Sequence, residues 1–136
     1  MGTEIRTELS KSNPHYIEKH RYLELRNFCL QYPIWEKAYN SLLGLKSREQ
    51  LYFKPTERGD PTLLTAMAIS QYSIWMDLVK DSADQTDPVL SEYIFEAVTK
   101  GLTYDKLNAK HTVPCCRKVY YEKYREFFWI LSRSRN

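Results

Sequence analysis

Glycine is scarce in this chain: four occur in 136 residues, at positions 2, 44, 59 and 101. A loop that cradles a nucleotide phosphate draws several glycines from one short stretch, so none can form here. No run of about 18 apolar residues is present, and no basic-then-apolar leader opens the chain. The expectation is therefore an intracellular protein with no membrane partner. Cysteine is limited to Cys29, Cys115 and Cys116, an odd number with two adjacent, which gives no disulfide framework and fits a reducing compartment. His15, His20 and His111 combine with these cysteines in neither C-x-x-C nor H-x-x-x-H spacing, so no metal site is expected. Cys115 near a helix start is a candidate nucleophile, but a packed or idle thiol is the simpler reading. No carboxylate pair stands out. The chain reads as a protein without enzymatic activity and without a cofactor.

Alternating β-branched runs are missing too. What the sequence does hold is apolar residues at helical spacing, 43% hydrophobic and 14% aromatic overall, enough to bury one core. The predicted fold is all-α with about six helices, preceded by a flexible tail over 1–14. Pro14 suits the first turn of a helix over 15–31 capped by Ser12 or Asn13, with Ile17, Leu25, Phe28 and Tyr32 on its inner side. Pro33 opens a second helix that carries Trp35, Tyr39 and Leu42 inward and stops at Gly44. From 45 to 60 the period is lost, and a mobile connection is expected, with one helical turn around 47–52. Residues 62–79 form the most apolar helix, with apolar side chains around much of its circumference, as befits a central helix or a subunit contact. Asp81, Ser82, Asp84 and Asp87 read as a polar turn, and Asp87 with Pro88 as the cap and first residue of a fourth helix that ends at Gly101. The segment 15–100 is thus a helical body.

The formal net charge of +3 is unevenly spread. From Thr103 to Asn136 there are eight Lys/Arg and three Asp/Glu, giving 8 − 3 = +5, which leaves 12 − 14 = −2 for the rest. Within that basic segment Thr103 caps a helix of about two turns, His111, Thr112 and Val113 break it, and a long helix follows from near Pro114 to about Ser132. Leu107 and Val113 are the apolar pins that two such helices need in order to hold a fixed angle. At 100° per residue, Val113, Tyr120, Tyr124, Phe127 and Leu131 face inward, while Lys118, Tyr121, Glu122, Arg125 and Trp129 face outward with Arg117 on the shoulder. Residues 101–136 therefore read as a helix-turn-helix whose second helix would enter a DNA groove. The expected nucleic-acid contacts are Lys106, Lys110, Arg117, Lys118, Tyr121 and Arg125, donating to phosphates or, near the helix start, to guanine edges.

The pattern G-L-T-Y-x-x-L-x-x-x-x-x-V-P-x-x-R-x-V-Y over residues 101–120 resembles the helix-turn-helix of sigma-region-4-like proteins. The small helical layout is similar to phage-encoded late transcriptional regulators of the RinA and ArpU type. Asn108 stands where such motifs usually place a small apolar residue, and Thr112 where the turn usually has glycine. The resemblance implies a sequence-specific, double-stranded-DNA-binding regulator in the cytoplasm of a bacterial host, with Arg117, Lys118 and Tyr121 at contact positions and host RNA polymerase a possible partner. A homodimer would let two recognition helices read two half-sites, and exposed Trp129 together with residues 62–79 would be its contact. Two alternatives stay open. One is a phage-encoded, anti-CRISPR-like inhibitor of a host nucleic-acid enzyme that docks through Tyr121, Trp129 and the apolar helix. The other is a DNA-packaging component like a terminase small subunit.

Overall fold

A computed structural model describes residues 13–52 and 61–135, with side chains for 13–45 and 63–135. Among the described residues the protein is all-α, with six helices and no strand: α1 (Lys19–Leu30), α2 (Tyr32–Tyr52), α3 (Pro61–Thr86), α4 (Ser91–Lys100), α5 (Tyr104–His111) and α6 (Arg117–Ser134). No helix among them is long and apolar enough to cross a membrane. The chain divides into two compact units. One comprises residues 1–31 and 78–136, the other residues 32–77.

The first unit is built on aromatic packing between α1 and α6. Tyr22, Leu25, Phe28 and Cys29 of α1 are buried, as are Tyr120, Tyr124, Phe127, Phe128 and Leu131 of α6. Tyr22 meets Phe128 edge to face at 5.1 Å between centroids, and Tyr124 lies 5.0 Å from Phe128, separations at which ring quadrupoles attract. Ile94, Ala97 and Val98 of α4 and Val79 and Ala83 of α3 complete the core. Arg21 of α1 ties down the end of α6: its guanidinium donates to the carbonyls of Ser132 (3.0 Å) and Arg135 (2.8 Å), acceptors that a helix end otherwise leaves without partners. Burial pushes the Cys29 thiol well above its ordinary range, so it packs as a small apolar group. In the second unit, the buried Trp35 of α2 stacks at a tilt on Trp75 of α3, 5.4 Å between centroids.

Several boundaries differ from the sequence expectation, each for a physical reason. Asn13 and Pro14 do not start α1. The Asn13 side chain accepts the His15 amide at 2.8 Å and makes a local turn, an alternative to helix that Asn offers readily, and α1 begins at Lys19. Gly44 does not stop α2, which continues to Tyr52. No neighbouring atom lies within 4 Å of the position a Cβ would take there, and one interior glycine costs a helix only about 1 kcal/mol. The polar turn expected from Asp81 belongs to α3 instead. Ser82 and Thr86 are buried, and each hydroxyl donates to the carbonyl four residues back at 2.8 Å, so these polar residues are accommodated without leaving the helix. The Asp87 carboxylate does accept the amides of Val89 (2.8 Å) and Leu90 (3.1 Å), but regular helix resumes only at Ser91. The remainder of the expected 45–60 connection, residues 53–60, and residues 1–12 of the expected tail lie outside the described residues.

Candidate nucleic-acid interface

The α5–turn–α6 segment is assembled from local hydrogen bonds that can be followed one by one. Gly101 ends α4 in the left-handed conformation at φ 69°, and its amide donates to Ala97. This is the conformation that glycine adopts without steric cost. Thr103 then caps α5, its hydroxyl accepting the Lys106 amide at 3.2 Å. At the far end Thr112 takes the left-handed conformation at φ 58°, and its amide donates to the Asn108 carbonyl at 2.8 Å. The Asn108 side chain accepts the Val113 amide, also at 2.8 Å. The two departures from the resemblance, Asn108 and Thr112, are therefore a matched pair: an asparagine cap replaces part of what a glycine turn would supply. Leu107 and Val113 are both buried, and the helix that α5 packs against is α4.

Further bonds close the unit. The Tyr104 hydroxyl donates to the Cys115 carbonyl at 2.6 Å, and the Tyr104 amide donates to the Tyr121 hydroxyl at 3.2 Å. Glu96 of α4 holds the end of α5, accepting from Lys110 Nζ at 2.8 Å with His111 Nε2 also at 2.8 Å. The Lys110 hydrogen bond holds the Glu96 carboxyl below its usual range, and Glu96 in turn raises Lys110.

The six expected contact residues do not stand alike. Lys106 and Lys118 are exposed, and neither has an ion-pair partner among the described residues. Arg117 is exposed but bonded to Asp105 and lies over the Tyr104 ring, 5.4 Å from its centroid. The Arg117 hydrogen bond lowers Asp105. Lys110 belongs to the Glu96 cluster, and the Tyr121 hydroxyl already accepts the Tyr104 amide. Arg125 is half-buried in an open groove of about 370 Å³ that Asn13, His15, Glu122 and Glu126 also line. Trp129 is not the free aromatic anchor expected, because the His15 ring covers it at 5.0 Å and the Arg133 guanidinium lies 4.8 Å from its centroid. The outward side of α6 is nonetheless more basic than acidic, with Arg117, Lys118 and Arg125 against Glu122 and Glu126. Asp105, Tyr104 and Glu96 are not legible in the sequence as partners of these cations, since spacings of 12 to 15 residues obey no helical period.

Among the described residues, no three His, Cys, Asp or Glu side chains gather to hold a metal ion. Burial raises the Cys115 thiol, the opposite of what an activated nucleophile needs.

No protein-family model, curated protein or solved structure matches the chain. Its function has to be read from the geometry.

Proposed function

We propose that this protein is a sequence-specific DNA-binding regulator of phage type, acting as a homodimer, with α5 and α6 as its helix-turn-helix and the basic side of α6 turned to the duplex. The observation that carries this reading is the pairing of a rigid turn with an outward-facing cation set. Hydrogen bonds of Thr103, Asn108 and Thr112 shape the turn, and a fixed angle between two such helices is what would let one enter a groove while its neighbour spans the backbone. Lys118 near the start of α6 and Lys106 on α5 are free to meet phosphate oxygens, as is Arg125, about two turns further along α6 and partly sheltered. Arg117 reaches the duplex only by exchanging the Asp105 carboxylate for a phosphate or a guanine edge. Asp105 thus holds the arginine in place and, in the free protein, competes with the nucleic acid for it.

Titrating labelled duplex with the protein at several salt concentrations tests this. Lys106→Ala, Lys118→Ala and Arg125→Ala should each weaken binding and flatten the plot of log affinity against log salt by about 0.9 for every phosphate no longer neutralised. A side chain that reads a base should instead lose about 1 to 3 kcal/mol on the cognate sequence and little on random DNA. Asp105→Asn should tighten binding at low salt, because it removes the competing carboxylate. Glu92→Gln, an exposed charge change on α4, should leave affinity nearly unchanged. A folded Arg117→Ala, Lys118→Ala, Arg125→Ala triple variant that binds as tightly as the parent, or a parent without DNA affinity at low salt, refutes the reading.

A further inference from the structure

The first unit holds a pocket of about 60 Å³ between α1, the end of α4 and α6. Its polar wall is one arginine and four hydroxyls: Arg26 and Tyr22 of α1, Thr103 ahead of α5, and Tyr121 and Tyr124 of α6. Among the described residues no Asp or Glu lines it. Arg26 is half-buried and has neither an ion-pair nor a hydrogen-bond partner among the described residues. Drawing part of a charge out of water costs free energy that a counter-ion would return, and all the guanidinium donors are unused. The hydroxyls beside it are set to donate as well. Thr103 accepts the Lys106 amide and Tyr121 accepts the Tyr104 amide, which fills lone pairs and leaves each O–H hydrogen to give. The Tyr22 and Tyr124 hydroxyls meet at 3.4 Å, long for a bond between oxygens and readily exchanged for a better acceptor. Burial pushes the Tyr124 hydroxyl well above its ordinary range, the Arg26 cation pulling the other way, so it stays a neutral donor.

We propose that this pocket binds a single phosphate group, with the Arg26 guanidinium as its charged anchor and the Thr103, Tyr121 and Tyr124 hydroxyls as neutral donors. The sign of the charge follows from the wall, which offers a cation and hydroxyl hydrogens and no carboxylate to repel an anion. The size agrees. At roughly 10 to 15 Å³ for each water-sized sphere, the pocket takes about four to six, close to the five non-hydrogen atoms of phosphate. Pockets for larger ligands run to about 300 to 1,000 Å³, so of a bigger molecule only the phosphate end would enter. Donors arriving from α1, from Thr103 and from α6 suit a tetrahedral anion better than a planar carboxylate, and a guanidinium fork matches phosphate oxygens. The group can be free, at the end of a small molecule, or part of a nucleic-acid backbone, and the chemistry of recognition is shared. The site does not rest on the regulator reading, and its test uses no duplex, so either can fail alone.

Amide chemical shifts of the full chain, followed as sodium phosphate is added to about 20 mM at constant ionic strength, test this. The Gly101, Leu102 and Thr103 amides, which belong to the wall, should move together and saturate with a dissociation constant of about 0.1 to 5 mM, in keeping with so small a ligand. Arg26→Gln should weaken binding at least about tenfold, and Arg26→Lys, which keeps the charge and loses the fork, by less. Tyr124→Phe should weaken it about three- to tenfold. Lys19→Gln, which removes an exposed cation elsewhere on α1, should leave it unchanged, and acetate should bind at least about tenfold more weakly than phosphate. Dimethyl phosphate separates the sources: no binding marks a free or terminal phosphate, binding equal to that of phosphate marks a backbone diester, and both keep the site. Shifts that do not saturate or that spare residues 101–103 overturn the proposal, as does a folded Arg26→Gln chain that binds like the parent. Should Arg26→Gln not fold, Tyr124→Phe decides, since it keeps the packed ring, and unchanged binding there overturns the proposal too.

Discussion

Thr112 is the residue at which this fold pays most visibly for its turn, and replacing it measures that cost. Among the described residues it is the only non-glycine with positive φ, and it is β-branched, the side-chain type least suited to that region. Holding an L-residue left-handed costs roughly 1 to 2 kcal/mol. Thr112→Gly removes that strain while adding backbone freedom to the unfolded chain worth roughly 0.5 to 1 kcal/mol. The net expectation is a gain of about 0.5 to 1 kcal/mol, or roughly 2 to 4 °C in Tm for a domain of this size. Thr112→Asn, whose short polar side chain can hydrogen-bond locally in the left-handed region, should gain a similar amount, and Thr112→Ala should gain least because it keeps a Cβ without such a group. The Thr112 amide bond to the Asn108 carbonyl and the Asn108 side-chain bond to Val113 involve no Thr112 side-chain atom, so all three variants retain them. Urea unfolding followed by circular dichroism reads the order Gly and Asn above Ala above Thr. A Gly variant less stable than the parent would mean that the turn is not strained as its geometry indicates.

The core and the α4–α5 clamp give two more expectations. Leu107 is fully buried, so Leu107→Ala should cost about 2 to 5 kcal/mol, and thermal unfolding that leaves Tm unmoved would show that α5 does not dock where it is placed. Glu96 is held below its ordinary value near 4.5, so its contribution is present above that value and is lost as pH falls below it. Because Lys110 is half-exposed, solvent screens the pair and the contribution is small. Urea midpoints at pH 5.5 and 3.5 should fall further for the parent than for Glu96→Gln, and equal falls would remove the clamp.

Much of this fold is legible in the periodicity of the sequence. Val113, Tyr120, Tyr124, Phe127 and Leu131 face inward at 100° per residue, and all five are buried, because a terminal amphipathic helix has only one apolar side to hide. Gly101 and Thr103 can be read as stop and cap because each acts on its own backbone within a few residues. Phe128 escapes the periodicity although it is fully buried. It lies at the margin of the stripe, where the Tyr22 ring of α1, more than a hundred residues away in sequence, packs against it. The end of α3 escapes it for a related reason: Ser82 and Thr86 are polar by composition, yet their hydroxyls are satisfied by carbonyls of their own helix.

The same distinction governs the candidate interface. Which cations face outward on α6 is a property of one helix and can be read from its period. Which of them are free is a property of pairs. Arg117 and Lys118 are neighbours, equally basic in sequence and both exposed, but Arg117 is bonded to Asp105 and set over Tyr104, whereas Lys118 has no such partner among the described residues. Before it can bind a phosphate, Arg117 must give up a charge-assisted bond, so its net contribution is the difference between two ionic contacts, whereas Lys118 exchanges only water. If α6 meets DNA, Lys118→Ala should therefore lower affinity more than Arg117→Ala does in the parent. In an Asp105→Asn background the order should narrow or reverse, because Arg117 then starts without a carboxylate to leave. Binding isotherms for the four combinations at one low salt concentration separate these cases. An Arg117→Ala effect that is unchanged by Asp105→Asn would mean that the ion pair persists on the duplex and that Arg117 is part of the scaffold.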